Sequence, residues 1–167
     1  MLFRRILVPI DFSPCSEQAY RVALTFARAF DAEVRLLHVI DVNTLEALNR
    51  LGLALPTRVA GQRKRLNRQA RLQFRRLLEW EQAKGVPIRR VVVEGVPFVE
   101  IGRAVRTEQI DLVVLGSWSG ETGNVERIFF GSTAEKVVRT AGCPVLTVPL
   151  PVRRPHLHGE PRPKEDR

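Results

Sequence analysis

Five short stretches of almost unbroken apolar residues divide the chain: RRILVPID ending at Asp11, EVRLLHVI ending at Ile40, PIRRVVVEG ending at Gly95, IDLVVLGS ending at Ser117 and CPVLTVP ending at Pro149. Several are nearly continuous Val, Leu and Ile, which is what strands covered on both faces require, and such strands belong to parallel sheets. Between them the apolar positions recur at helical steps. Ser13 is placed to cap a helix that has Pro14 at its first position and Ala19, Val22, Ala23, Phe26, Ala27 and Phe30 on one face. A second helix turns Leu66, Ala70, Phe74, Leu77 and Leu78 inward, with Lys84 and Gly85 as its terminal charge and left-handed stop. A third opens near Pro97 and buries Phe98, Ile101 and Val105, with Gly102 read as a close-packing position. A fourth begins at STAEKVV, where Ser132 and Glu135 have capping-box spacing, and ends at Gly142. Strand and helix patterns in alternation predict an open α/β sheet with right-handed crossovers.

Two segments fall outside that rhythm. Residues 41–57 carry Leu45, Leu48, Leu51, Leu53 and Leu55 but also Gly52 and Pro56, and read as an irregular or partly helical excursion able to cover a pocket or a partner surface. Residues 151–167 hold four prolines and many charges with no apolar pattern, the composition of a disordered tail. The organisation expected is therefore one domain over residues 1–150 and a basic, Pro-rich tail over 151–167.

Length and composition narrow the class further. A chain of 167 residues with 44% hydrophobic content can bury a core of its own. The apolar run at the N-terminus is too short for a signal peptide, and none approaches a membrane span, so a cytoplasmic protein without membrane insertion is expected. Cys15 and Cys143 lie far apart with no C-x-x-C, which disfavours a disulfide or a zinc site. Cys15 falls in a first helical turn, where a thiol is either an inert packing group or a redox-sensitive one; the inert reading is the simpler. His38 sits within a strand run and reads as a core or pocket-wall residue, while His156 and His158 lie in the tail.

The net charge of +9 is not evenly spread. Residues 58–84 contain nine Lys or Arg against Glu79 and Glu81, the tail holds five against three, and the remainder balances. A basic helix is a solvated face in the simpler reading, and a surface for an acidic partner or nucleic acid in the other.

Chemistry is expected where open α/β sheets place it, beyond the carboxyl ends of the strands at the point where strand order reverses. That locates Pro9, Ile10 and Asp11, Val39 and Ile40, Gly95, and Leu115, Gly116, Ser117, Ser119 and Gly120. The glycine-containing stretch GSWSGETGNVERIFFGSTAEK then enters the helix that opens at Gly131, Ser132 and Thr133. A helix N-terminus favours phosphate through its free N–H groups and dipole, and glycines let backbone amides approach an anion. Asp11 is a carboxylate that can accept hydrogen bonds from a ribose or assist a metal. The pattern points to a nucleotide, although neither G-x-x-x-x-G-K-[ST] nor a G-x-G-x-x-G after the first strand is present. Asp11 is not read as a receiver-domain phospho-acceptor, because Phe12 and TVPLP stand where neighbouring acids and a lysine would be needed.

Over roughly residues 3–149 the chain resembles the universal stress proteins of the UspA-like family. The matching pieces are ILVPIDFSPCSEQAY, VRLLHVID, EGVPFVEIGRAV, IDLVVLGSWS and GSTAEKVVRTAGCPVLTVP, in that order. The resemblance implies a five-stranded parallel sheet of order 3-2-1-4-5 with helices on both faces, an adenine-nucleotide alpha-hydrolase-like, Rossmann-like fold, and a homodimer formed along the last strand. Its ATP-binding branch carries G-x2-G-x9-G-[ST]. By that resemblance Asp11 and Val39 line the adenosine part of a site for ATP, ADP or AMP, with Mg2+ accompanying the phosphates, and Gly116, the following loop, Gly131, Ser132 and Thr133 hold ribose and phosphates.

This sequence departs from that motif. Fourteen residues separate Gly116 from Gly131 where the motif has twelve, and Ser119 stands at the second glycine. Either Gly120 or Gly123 takes that role across a two-residue bulge, or Trp118, Glu121 and Glu126 fill or repel the phosphate position. Trp118 itself reads either as a loop anchor or as a stacking group. No nucleophile is paired with a base, so a binding and regulatory protein with at most slow ATP hydrolysis is expected. The alternative is an interaction module that binds no nucleotide and uses its basic helix.

Overall fold

The computed structural model describes residues 3–41, 56–117 and 131–150, the side chains of 56–60 and 81 excepted. The leucine-rich excursion, Trp118 to Gly123, Glu126 and the tail therefore lie outside the described residues, apart from the ends of the excursion at Asp41 and at Pro56 and Thr57.

Strands β1 (Arg5–Pro9), β2 (Glu33–Asp41), β3 (Ile88–Gly95), β4 (Leu112–Gly116) and β5 (Val145–Val148) form one parallel sheet in the order β3-β2-β1-β4-β5. Helices α1 (Pro14–Phe30), α2 (Pro56–Leu78), α3 (Pro97–Thr107) and α4 (Ser132–Thr140) make the crossovers. Each strand run of the sequence is a strand, with ends shifted by a few residues at most.

Side-chain alternation sorts the strands between two cores. Ile6, Val8, Val34, Leu36, Leu112 and Val114 face α1 and α2, where they meet Ala19, Ala23, Phe74 and Leu77. Leu7, Leu37, Val113 and Leu115 face α3 and α4, where they meet Ile101, Val105, Ala134 and Val137. Because both faces of the central strands are covered, β4 shows four buried residues in succession, which is why its sequence is apolar without alternation.

The N-terminus of α1 follows the sequence closely. Ser13 is the N-cap, its hydroxyl accepts from the Ser16 N–H at 3.2 Å, and Pro14 occupies the first turn. At the far end Asp31 closes the helix in the left-handed conformation at φ +52°, donating its N–H to the Ala27 carbonyl. The buried face is wider than the periodicity indicated, because Tyr20 and Leu24 join Ala19, Ala23 and Ala27 in the core. Phe30, expected inward, is exposed and packs edge-on against Phe3 at 5.4 Å.

Three further expectations change. Helix α2 stops at Leu78 and a 3-10 turn follows at Glu81–Ala83; Gly85 is left-handed at φ +77° but lies after that turn and is not the helix stop. The break brings Trp80 against Tyr20, ring centroids 5.4 Å apart, with Arg21 over its face at 4.2 Å. Gly102 is not a close-packing position: an added Cβ would meet nothing nearer than the end of Arg106 at 3.6 Å. The capping box of α4 is absent. Gly131 is the N-cap, no side chain among the described residues caps it, and Glu135 pairs with Arg139 at 3.5 Å.

Candidate functional site

Strand order reverses beside β1, since β2 lies on one side of it and β4 on the other, and the helices that follow leave toward opposite faces. A crevice opens there, beyond the carboxyl ends of β1, β2 and β4, with a volume of about 310 Å³, at the lower end of the range for small-molecule sites.

The β1–α1 turn builds one wall. Ile10 continues the sheet by donating its N–H to the Leu37 carbonyl at 2.9 Å, and its own carbonyl meets His38 Nδ1 at 2.8 Å. Phe12 then adopts φ +65°, the left-handed conformation that costs a non-glycine residue roughly 1–2 kcal/mol. Its ring offsets that cost by packing between His38, at 4.7 Å, and Phe74, at 5.3 Å. The reversal turns Asp11 outward at the crevice, where its Oδ1 accepts from the Ser13 N–H at 3.0 Å. His38, half-buried, does not line the crevice but holds the turn from behind.

The opposite wall comes from β4 and α4. Ser117 donates its N–H to the Val148 carbonyl at 3.0 Å, and its carbonyl accepts from the Gly131 N–H at 2.9 Å. That second bond ties the end of β4 to the start of α4 directly, so Ser117 and the first turn of α4 face the same space. With no side-chain cap, that first turn presents backbone N–H groups in the manner that suits an anion. Gly116 has a separate reason to be glycine. An added Cβ would stand 2.9 Å from the Cys15 carbonyl carbon, 3.0 Å from its oxygen and 3.0 Å from its Sγ. Cys15 is buried and its Sγ donates to the Val148 carbonyl at 3.3 Å, so it locks the first turn of α1 onto the ends of β4 and β5.

Of the residues expected at the site, Pro9, Ile10, Asp11, Val39, Leu115, Gly116, Ser117, Gly131, Ser132 and Thr133 all line this one crevice. Ser119 and Gly120 lie outside the described residues. Ile40, placed at the same end by the strand pattern, is buried, and Gly95 ends β3; neither lines the crevice. The crevice also takes Ser13, Ser16, Leu37, Asp41, Pro97, Ile101 and Ala134, which the sequence reading did not assign to it. Two signals could have found them. The β2–β3 register continues to Asp41 opposite Gly95, four residues past the level of Pro9, which carries Asp41 above the floor. Pro97 opens a helix directly after β3 and so must stand at the carboxyl edge.

Apolar groups (Leu37, Val39, Pro97, Ile101) thus face hydroxyls, two carboxylates and a helix N-terminus across one opening. Among the described residues, no group of three or more His, Cys, Asp or Glu is arranged to hold a metal ion. No described helix is long and apolar enough to cross a membrane.

A doubly wound α/β domain with its crevice at the switch point is a class with many members, and comparison with known proteins narrows it. The profile of the universal stress protein family matches residues 2–149. Universal stress protein MJ0531 of Methanocaldococcus jannaschii is 34% identical over 152 residues, covering 90% of this chain and 84% of its own. The solved structure of MJ0577, a universal stress protein of the same organism, superposes with a TM-score of 0.73 at 27% identity, over 89% of this chain and 97% of that one. A universal stress protein solved in complex with cAMP shares the fold at a TM-score of 0.62 and 20% identity, over 89% and 98% of the two chains. The chain belongs to the universal stress protein family.

Proposed function

We propose that this protein binds an adenine nucleotide, ATP or AMP, in the crevice between β1, β2 and β4, and acts as a cytoplasmic, dimeric stress-response regulator. The observation that carries the reading is the side-chain-free N-terminus of α4, opening with Ser132 and Thr133 onto the crevice that Asp11 and Val39 share. In this reading the apolar wall of Val39, Leu37 and Ile101 takes the base, Asp11 accepts from ribose hydroxyls, and the α4 turn with Ser117 receives phosphate. The residues of Gly116, Ser119 and Gly120 extend that phosphate end. A universal stress protein of the same fold holds cAMP, an adenine nucleotide, which supports the class of ligand. Mg2+ would be held chiefly by the phosphates of ATP and water, as that ion prefers, because the two carboxylates here do not amount to a protein cage. Strand β5 is an edge of the sheet among the described residues, which supports dimerisation along it. The domain is taken as residues 1–150, followed by the basic, Pro-rich segment 151–167.

Calorimetric titration of the ligand-free protein with ATP, ADP and AMP tests the reading, with Gly131→Val as control. Gly131 has φ −59°, which valine adopts without backbone strain, so the variant should lose no more than about 1 kcal/mol of cap preference while placing a branched side chain at the α4 cap. The expected outcome is saturable heat with wild type and its loss in Gly131→Val at a melting temperature lowered by no more than about 4 °C. Absence of saturable binding at millimolar ATP overturns the proposal.

A further inference from the structure

The cations of α2 are sorted by the helix into distinct roles. Arg63 is paired with Glu94 at 3.3 Å and Arg76 is paired with Glu17, so these two fasten the helix to the fold. Lys64, Arg68, Arg71 and Arg75 are exposed and have no acidic partner among the described residues. At 100° per residue these four fall within about 60° of arc, a single flank running about 16.5 Å along the axis. The flank across the buried face carries Gln62, Gln69 and Gln73, with Arg65 beside them as a fifth exposed cation that has no acidic partner among the described residues. No Asp or Glu occurs between Arg58 and Leu78.

A helix face that is merely solvated interleaves acids with bases, because opposite charges three or four residues apart support the helix and like charges oppose it. Here Lys64–Arg68, Arg68–Arg71 and Arg71–Arg75 are all like-charge pairs at those spacings. The charge is concentrated on one line at the expense of the isolated helix. Such an arrangement is matched by a partner that presents an equally regular line of negative charge.

We propose that the Lys64–Arg68–Arg71–Arg75 flank of α2 is a docking surface for the phosphodiester backbone of duplex nucleic acid, without base specificity. A duplex carries one negative charge per about 1.7 Å of its axis, both strands counted, so a flank of about 16.5 Å laid on it sets its four cations against a dense phosphate field. Three of the four are Arg, whose planar fork meets phosphate oxygens two at a time. A membrane surface fits less well. A membrane-lying helix buries an apolar face in lipid, and the apolar face of α2, Ala70, Phe74 and Leu77, is committed to the protein interior. This surface is separate from the crevice, and its test is run without free nucleotide, so that failure of one proposal leaves the other intact.

The experiment is fluorescence anisotropy of labelled short DNA and RNA duplexes with the full chain across a series of salt concentrations. Four neutralised phosphates predict a log–log salt slope of about −3.6, a loss of about 150-fold in affinity between about 50 and 200 mM salt. Arg68→Gln with Arg71→Gln is expected to halve that slope and to weaken both duplexes alike, at a melting temperature equal to or above wild type because repulsion is relieved. Arg153→Gln with Arg154→Gln, in the tail, is expected to leave binding unchanged. The proposal is overturned by absence of binding at low salt, or by a double variant in α2 that binds as wild type. It is equally overturned if the tail variant abolishes binding, if phosphatidylserine vesicles bind in preference to duplex, or if polyglutamate competes as well as duplex does.

Discussion

Gly116→Ala separates two explanations of one glycine. If residue 116 is glycine only so that a ligand can approach the backbone, alanine weakens binding and leaves the ligand-free protein unchanged. The structure gives the opposite expectation. The new Cβ would lie 2.9 Å from the carbonyl carbon of Cys15 and 3.0 Å from its oxygen, well inside the roughly 3.5–4.0 Å at which carbon contacts are favourable. Both are backbone atoms in the first turn of α1, which Ser13 caps and Cys15 itself ties to the Val148 carbonyl. Neither can rotate away, so the end of β4 and the start of α1 must separate. Overpacking of this kind costs about 1–3 kcal/mol. Taking about 2 kcal/mol, the melting temperature of a domain this size should fall by about 4–8 °C. Urea unfolding of ligand-free protein followed by circular dichroism measures it, with Cys15→Ala as a second site. Removing Sγ relieves only the third contact, so Cys15→Ala should not rescue Gly116→Ala. A ligand-free Gly116→Ala within about 0.5 kcal/mol of wild type, or full rescue by Cys15→Ala, would refute the packing argument.

Other consequences are accessible to the same assay. Tyr20 is fully buried and its hydroxyl has no hydrogen-bond partner among the described residues, so Tyr20→Phe should be neutral or stabilising by up to about 1 kcal/mol. Burial pushes the Tyr20 phenol up to about 12 from an ordinary 10.0. The folded state therefore keeps a proton that the unfolded chain gives up first, and wild type should lose stability as pH rises from 10 toward 12. Tyr20→Phe should lack that component, and equal alkaline losses in the two proteins would contradict the assignment. Ser13→Ala removes the acceptor for the Ser16 N–H and should cost about 1 kcal/mol, read as a lower urea midpoint at unchanged slope.

The parts of the fold that could be read from residues alone are those where one physical requirement dominates. Strands covered on both faces must be apolar throughout, so all five were visible, and topology then carried the site, because strand ends at a switch point converge whatever their side chains are. Ser13 with Pro14 was legible for the same reason, since capping is a local matter. The misses occur where tertiary contact decides. Tyr20 and Leu24 are buried because α1 lies across several strands and presents a face wider than one stripe. Leu78 ends α2 so that Trp80 can reach Tyr20, a contact between residues 60 positions apart that no local pattern encodes. Ser132 and Glu135 have capping-box spacing, yet Gly131 is the cap: its carbonyl accepts the first helical bond, from the Glu135 N–H at 3.0 Å, while its own N–H is bound to the Ser117 carbonyl.

That bond also changes what the two glycines at the ends of the stretch 116–131 mean. The sequence reading grouped them as one phosphate motif. In the structure Gly116 is required by the approach of Cys15 on the α1 side, whereas Gly131 caps α4 at an ordinary backbone conformation, φ −59°. A requirement set by packing is felt with or without ligand, and a requirement set by an anion is felt only when the anion binds. The two substitutions should therefore separate: Gly116→Ala lowers the stability of the ligand-free protein by about 2 kcal/mol, and Gly131→Val by no more than about 1 kcal/mol of lost cap preference while removing nucleotide binding. A larger loss of stability in Gly131→Val would mean that the cap, too, is held by packing, and the α4 N-terminus would then lose its claim to be a phosphate site.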